Sequence, residues 1–179
     1  DKPSGRPVQI LRFGKRTEAY TPFTQREFID ALEACVETKT KPVIPTKFLP
    51  FDAEITKLLK RTKASLLYSI GFDELELSSV YWGNTNSFRI EQAIRYKEEK
   101  VNTSLYLLVL GHISPTERDL NVLETARKNN LTVQLLPLRF DRKELALRVT
   151  GESWDNLKGI SGKNQLDMIE NSPSQGKYT

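Results

Sequence analysis

With 179 residues, of which 38% are apolar and 28% charged, the chain is long enough to close one well-packed core, and no apolar run nears the roughly 20 residues that a membrane span demands. Its 27 Lys and Arg against 23 Asp and Glu leave a formal charge of +4, which suits either an anionic partner or a plain solvated basic surface. The single Cys35 excludes an internal disulfide. On the apolar side of a predicted helix it reads as a buried thiol in a reducing, cytoplasmic setting, and residues 1–7 show no basic-then-apolar signal pattern.

The first strand is read over Pro7 to Phe13, ended by Gly14, Lys15 and Arg16. A helix then opens at Thr24, three residues before Glu27, with Phe23 and Phe28 at hydrophobic-staple spacing. Phe28, Leu32, Cys35 and Val36 recur at i, i+4, i+7 and i+8 and form one apolar face. Pro42-Val43-Ile44-Pro45 is too rich in proline for a central strand and fits a short or edge one. A second helix runs from Asp52 to about Lys63, with Ile55, Leu58 and Leu59 inward and Lys57, Lys60, Arg61 and Lys63 outward or at its end, where cations suit the helix dipole.

Ala64 to Ile70 is almost unbroken in its apolarity, as a strand covered on both faces requires. Asp73 to Trp82 extends as a further strand or hairpin arm, Gly83 to Asn86 is a turn, and a helix follows from Ser87 to about Lys100 with Ile90, Ala93 and Ile94 on its apolar side. Ser104 to Leu110 is the best strand. Behind it, Ser114-Pro115-Thr116-Glu117 is a capping box with proline at the first helical position, and the helix stops at Asn129-Asn130. Leu131 to Leu138 is the next strand, Asp141 opens a short helix that Gly151 closes, and Trp154 and Leu157 dock a last turn. No internal repeat is visible in the sequence.

Alternation of strands and helices predicts an α/β fold, Rossmann-like or flavodoxin-like, with a mostly parallel sheet of about five strands flanked by helices on both faces. Residues 1–158 form one domain and 159–179 a polar tail. Such a sheet binds ligands at the carboxyl ends of its strands, near a reversal of strand order. This selects Phe13-Gly14-Lys15-Arg16, Gly71-Phe72-Asp73-Glu74, Gly111-His112 and Arg139-Phe140-Asp141-Arg142. Glycines and paired cations there suit a phosphate or other anion, although glycines also end strands and cations also populate loops.

His112, the sole histidine, stands where a general acid or base is useful. With one His and a distant Cys35 no His-based metal site is expected. Asp73, Glu74 and Glu76 are clustered, but alternation splits them between two faces and no lysine accompanies them between Ala64 and Arg89, which argues against a metal-dependent nuclease. GxGxxG, the P-loop and GxSxG are all missing from the sequence.

The order of elements, together with Asn84-Thr85-Asn86-Ser87 leading into Phe88-Arg89-Ile90-Glu91-Gln92-Ala93, resembles the Toll/interleukin-receptor (TIR) group and related nucleoside-processing Rossmann-like domains. The resemblance implies that Glu91 is the catalytic carboxylate facing the ribose of NAD or another nucleotide. It also implies that Trp82, Asn84 and Ser87 shape the pocket and that the loop after Phe13 lies across the ligand. Glu91 equally fits a solvated residue paired with Arg95 at i+4.

Three readings follow. The first is a domain binding a nucleotide-type anionic ligand through Arg12, Gly14, Lys15, Asp73, Trp82, Asn84, Ser87 and His112, with cleavage of an N-glycosidic bond at Glu91. The second is nucleic-acid binding through Lys57, Lys60, Arg61, Lys63, Arg139, Arg142 and Lys143. The third is a noncatalytic protein-interaction module. The sequence assigns no resident cofactor, metal or oligomeric state.

Overall fold

The computed structural model describes residues 9–14, 18–71, 85–109 and 117–137. Over these residues strand and helix alternate: β1 (Ile10–Arg12), α1 (Gln25–Glu37), β2 (Lys41–Thr46), α2 (Ala53–Arg61), β3 (Ser65–Ile70), α3 (Asn86–Glu98), β4 (Asn102–Val109), α4 (Glu117–Lys128) and β5 (Thr132–Pro137). The strands form one five-stranded parallel sheet, β1-β2-β3-β4-β5, so the α/β class is as expected. No helix among the described residues is long and apolar enough to cross a membrane. The expected strand at 73–82, the capping box at Ser114, the helix at Asp141 and the tail lie outside the described residues.

By contact the chain groups into two compact units, residues 1–106 with 126–134, and 107–125 with 135–179. The first holds β1 to β3, α1 to α3, the beginning of β4, the end of α4 and the start of β5. In the second, α4 carries Glu117 and Asp119 in its first turn and buries Val122.

The strand order advances in one direction without reversal. Right-handed crossovers that always step the same way place successive helices on one face of a sheet, which corrects the two-faced expectation for the first unit. Burial agrees: Ile44 and Thr46 of β2, Leu66, Tyr68 and Ile70 of β3, and Thr103 and Leu105 of β4 are buried, whereas the alternate positions Val43, Pro45, Ser65, Ser69 and Tyr106 are half-exposed. Leu67 and Ser104 are the buried exceptions on that second face. On the covered face α1 packs against α2 and β2, α3 packs against β3, and Lys60 of α2 reaches Glu99 beyond α3 at 3.4 Å.

β2 is not an edge strand, despite Pro42 and Pro45. It lies between β1 and β3 in parallel register, Arg12 beside Val43 and Val43 beside Ser65. In a parallel strand successive residues turn their backbone groups to opposite neighbours. Lys41 donates to Gln9 and Val43 accepts from Phe13 on the β1 side, so Pro45 also faces β1, beyond Arg12 where that strand has ended, and Pro42 faces β3 before it begins. Both missing donors fall where no ladder bond is required.

The helix starts differ from one another. Asp52 accepts from the Ile55 N–H at 2.8 Å and Thr85 from the Phe88 N–H at 3.1 Å, ordinary N-caps. At Thr24 the expected capping box does not form. Its Oγ1 accepts from the Thr21 N–H at 3.0 Å instead, and Phe23 is 81% exposed while Phe28 packs edge-on against Phe13 and Tyr20. Burial of Phe28 between two rings outweighs the staple, which gains little at the surface.

The helix ends, by contrast, are copies. Lys39, Lys63, Lys100 and Asn130 have φ of 56°, 53°, 64° and 53°, each two residues beyond its helix. The next residue's N–H returns to the helix at 2.9–3.0 Å: Thr40 to Cys35, Ala64 to Leu59, Val101 to Tyr96, and Leu131 to Ala126. Each left-handed residue also donates to the carbonyl three back, completing a Schellman motif four times over. Thr40, Ala64, Val101 and Leu131 are all buried, and a strand begins at the following residue.

Candidate functional site

A sheet without reversal has no switch point, so the whole carboxyl edge, where strands deliver their loops and helices begin, is the place for a site. Two polar assemblies stand there on neighbouring strand ends.

At the end of β2 the Glu18 carboxylate accepts from Thr46 Oγ1 at 2.6 Å and from the Lys47 N–H at 2.9 Å. Thr46 Oγ1 in turn accepts from the Phe48 and Leu49 N–H groups at 3.1 and 3.0 Å. Glu18 thus ties the segment after β1 to the turn after β2. Burial pushes its pKa up, opposed by the bonds from Thr46, Lys47 and Tyr20 and by the nearby Lys47 charge. Behind it, the Tyr68 hydroxyl donates to the Leu49 carbonyl at 2.7 Å, and burial raises its pKa well above the usual tyrosine range.

At the end of β3, Asn86 clasps Gly71. Its Nδ2 donates to the Gly71 carbonyl at 2.9 Å and its Oδ1 accepts from the Gly71 N–H at 3.1 Å. Arg89 Nη1 donates to the same Oδ1 at 3.2 Å and to the Ser69 carbonyl at 3.1 Å. One turn on, buried Gln92 accepts from the Phe51 N–H at 2.8 Å, and Tyr96 donates to the Pro50 carbonyl at 2.8 Å. The Arg95 guanidinium lies 4.2 Å from the centre of the Phe51 ring, a cation–π contact. The buried side of α3 is therefore Asn86, Gln92, Ala93 and Tyr96, and the expected apolar residues Ile90 and Ile94 are only half-buried.

The sequence-derived site residues fall as follows. Arg12 is exposed at the end of β1, beside Val43 in register, and Gly14 takes a left-handed φ of 59° two residues on. Ser87 is exposed in the first turn of α3. Glu91 is exposed on α3, while Arg95 is engaged over Phe51. Cys35 is buried in α1, as expected, and burial raises its thiol pKa. Lys57, Lys60, Arg61 and Lys63 are exposed along and beyond α2. Lys15, Asp73, Trp82, Asn84, His112, Arg139, Arg142 and Lys143 lie outside the described residues.

Sequence reasoning missed Glu18, Thr46, Asn86, Arg89 and Gln92 as organisers of this edge. Glu18 lies 28 residues before Thr46, and Asn86 lies 15 after Gly71. No local spacing links them.

No family model matches the sequence, and no curated protein matches it. Solved structures of SuiB from Streptococcus suis resemble it in fold. The crystal structure of SuiB superposes with a TM-score of 0.56 at 14% identity, over 95% of this chain and 37% of SuiB. SuiB bound to the precursor peptide SuiA gives 0.57 at 12%, over 95% and 36%. SuiB bound to S-adenosylmethionine gives 0.53 at 14%, over 73% and 30%. The chain spans little more than a third of SuiB, and at this identity the likeness is one of fold. It lends the TIR resemblance no support.

Proposed function

We propose that the chain is a ligand-binding α/β domain that takes a nucleoside-type small molecule at the carboxyl edge of its sheet. The observation that carries the reading is the polar equipment of that edge. Glu18 with Thr46, and Asn86 with Arg89, are held in place by bonds to strand-end backbone rather than left to solvent. Preorganised polar groups at strand ends are what a small-molecule site in an α/β sheet requires. SuiB, similar in fold, has been solved with S-adenosylmethionine, which makes that compound the first ligand to test. The edge offers a carboxylate in Glu18 as well as cations in Arg12 and Arg89, so a ligand with an amino group or ribose hydroxyls suits it at least as well as a purely anionic one.

Glycosidic cleavage through Glu91 is no part of this reading, because Glu91 is exposed on α3 and nothing in the likeness to SuiB speaks for it. Calorimetric titration with S-adenosylmethionine, NAD and ATP tests the proposal. At least one is expected to bind, and Glu18→Gln is expected to weaken it about tenfold, roughly 1.4 kcal/mol, with circular dichroism unchanged. Binding of none of the three removes the proposal, and binding indifferent to Glu18→Gln and to Asn86→Ala removes its placement at this edge.

A further inference from the structure

The amino edge of the sheet, opposite the candidate ligand site, carries an arrangement that no sequence window displays. Three of the four helix-to-strand turns place a lysine in the left-handed conformation: Lys39 before β2, Lys63 before β3 and Lys100 before β4, at one position of one repeated motif. Asn130 occupies it before β5. Because β2, β3, β4 and β5 are successive neighbours in the sheet, the four turns stand in a row, roughly 5 to 10 Å apart by the spacing of adjacent strands and helices. Lys41, Arg61 and Arg127, all exposed, add to the same edge.

Lysine is a strained choice at that conformation, where glycine is not. Complementing the helix dipole does not require it at Lys63 or Lys100, since Lys60 and Arg61, and Arg95 and Lys97, already lie in the last turns of α2 and α3; α1 alone has no cation in its last turn, and there Lys39 serves the dipole as well. A strained residue used three times in one register points to its side chain. We infer that this edge is a docking surface for the phosphate backbone of a nucleic-acid duplex, contacted by Lys39, Lys63 and Lys100 with Lys41, Arg61 and Arg127 around them.

A phosphate backbone fits better than an acidic protein. The residue after each left-handed position, Thr40, Ala64, Val101 or Leu131, is buried, and the exposed apolar residues Ile10 and Leu11 lie on β1 beside Lys41 and Pro42, at one end of the row, so the centre of the row presents cations without the apolar anchors that protein interfaces concentrate there. A duplex fits better than a single strand, because no exposed aromatic stacking platform stands at this edge among the described residues. The acids nearby are Glu37, Glu98 and Glu99, the last paired with Lys60 at 3.4 Å. They leave Lys39, Lys63 and Lys100 as the leading contacts and predict binding without base preference.

The test is fluorescence anisotropy of the full chain with a labelled 20-base-pair duplex over a salt series, for wild type and for the triple variant Lys39→Gly, Lys63→Gly, Lys100→Gly. Glycine suits the left-handed conformation, so the variant is expected to melt a few degrees higher while binding at least tenfold more weakly, with the slope of log affinity against log salt reduced by about 2 to 3. Arg26→Ala, at the start of α1 on the other edge, is expected to leave the slope unchanged. Lack of duplex binding at low salt, equal binding by the triple variant, or preference of the wild type for polyglutamate over the duplex would each overturn the inference.

Discussion

At the amino edge of the sheet the chain turns four times with one backbone motif, whereas at the carboxyl edge each described connection is held by its own side chains. Schellman turns are closed by backbone N–H and C=O groups, so Thr-Lys-Thr, Thr-Lys-Ala, Glu-Lys-Val and Asn-Asn-Leu all make the same bonds, the lysines at some cost in backbone strain. The carboxyl-edge connections instead depend on Glu18, Thr46, Asn86, Gln92 and Tyr96, whose partners lie 15 to 46 residues away in the chain. An edge built from backbone leaves its side chains free to vary or to serve a surface. An edge built from side chains ties the same groups to both folding and any ligand they meet.

The comparison predicts unequal sensitivity. Asn86→Ala is expected to be the most damaging of these changes, because a side chain only 5% exposed loses bonds to both backbone groups of Gly71 and to Arg89. A loss of about 2–4 kcal/mol is expected, a fall in Tm of roughly 5–15 °C by calorimetry. If Asn86→Ala melts no lower than wild type, the side-chain dependence of this edge is wrong.

Tyr96→Phe removes the hydroxyl that donates to Pro50 and accepts from the Asp52 N–H at 3.3 Å, keeping the ring against Phe51. About 1–2 kcal/mol should be lost in urea denaturation with the slope m unchanged. An altered m would show instead that the hydroxyl governs more than this connection.

The smallest effect concerns Glu18. Its pKa is raised in the folded protein chiefly by burial, so the folded state takes up a proton more readily than the unfolded chain, and ∂ΔG/∂pH for this group is negative. Its contribution to stability therefore improves as pH falls through the raised value toward the ordinary carboxylate range. The difference in stability between wild type and Glu18→Gln, followed by thermal melts from pH 7 down to about pH 4, is expected to shift in favour of the wild type. A difference that shifts the other way would mean that the bonds from Thr46 and Lys47 dominate over burial.

Much of the framework was legible. The apolar run at Ala64–Ile70 and the strand at Ser104 stand in the structure as β3 and β4, because the face under the helices needs an apolar residue at every second position, which Leu66, Tyr68, Ile70, Leu105 and Leu107 supply. The period of Phe28, Leu32 and Cys35 marks the buried face of α1. Pro42 and Pro45 misdirected the reading of β2, since proline's missing donor matters only where a neighbouring strand asks for it, and register decides that. At Thr24 the helix starts where the sequence placed it, but the hydroxyl bonds Thr21 and leaves the capping box unmade. The carboxyl-edge assemblies were illegible for want of any local signal joining Glu18 to Thr46 or Asn86 to Gly71.

Composition and periodicity thus determined by themselves that this chain is an α/β protein with a mostly parallel sheet, a buried Cys35 and helices at or near their observed bounds, because burial of apolar faces is a local pattern written along the chain. Tertiary structure alone decided that the strands run in sequential order, that Lys39, Lys63 and Lys100 line one edge, and that Glu18 and Asn86 govern the other. Those facts depend on which distant segments become neighbours, and neighbourhood across the sheet is set by register and crossover, not by any window of sequence.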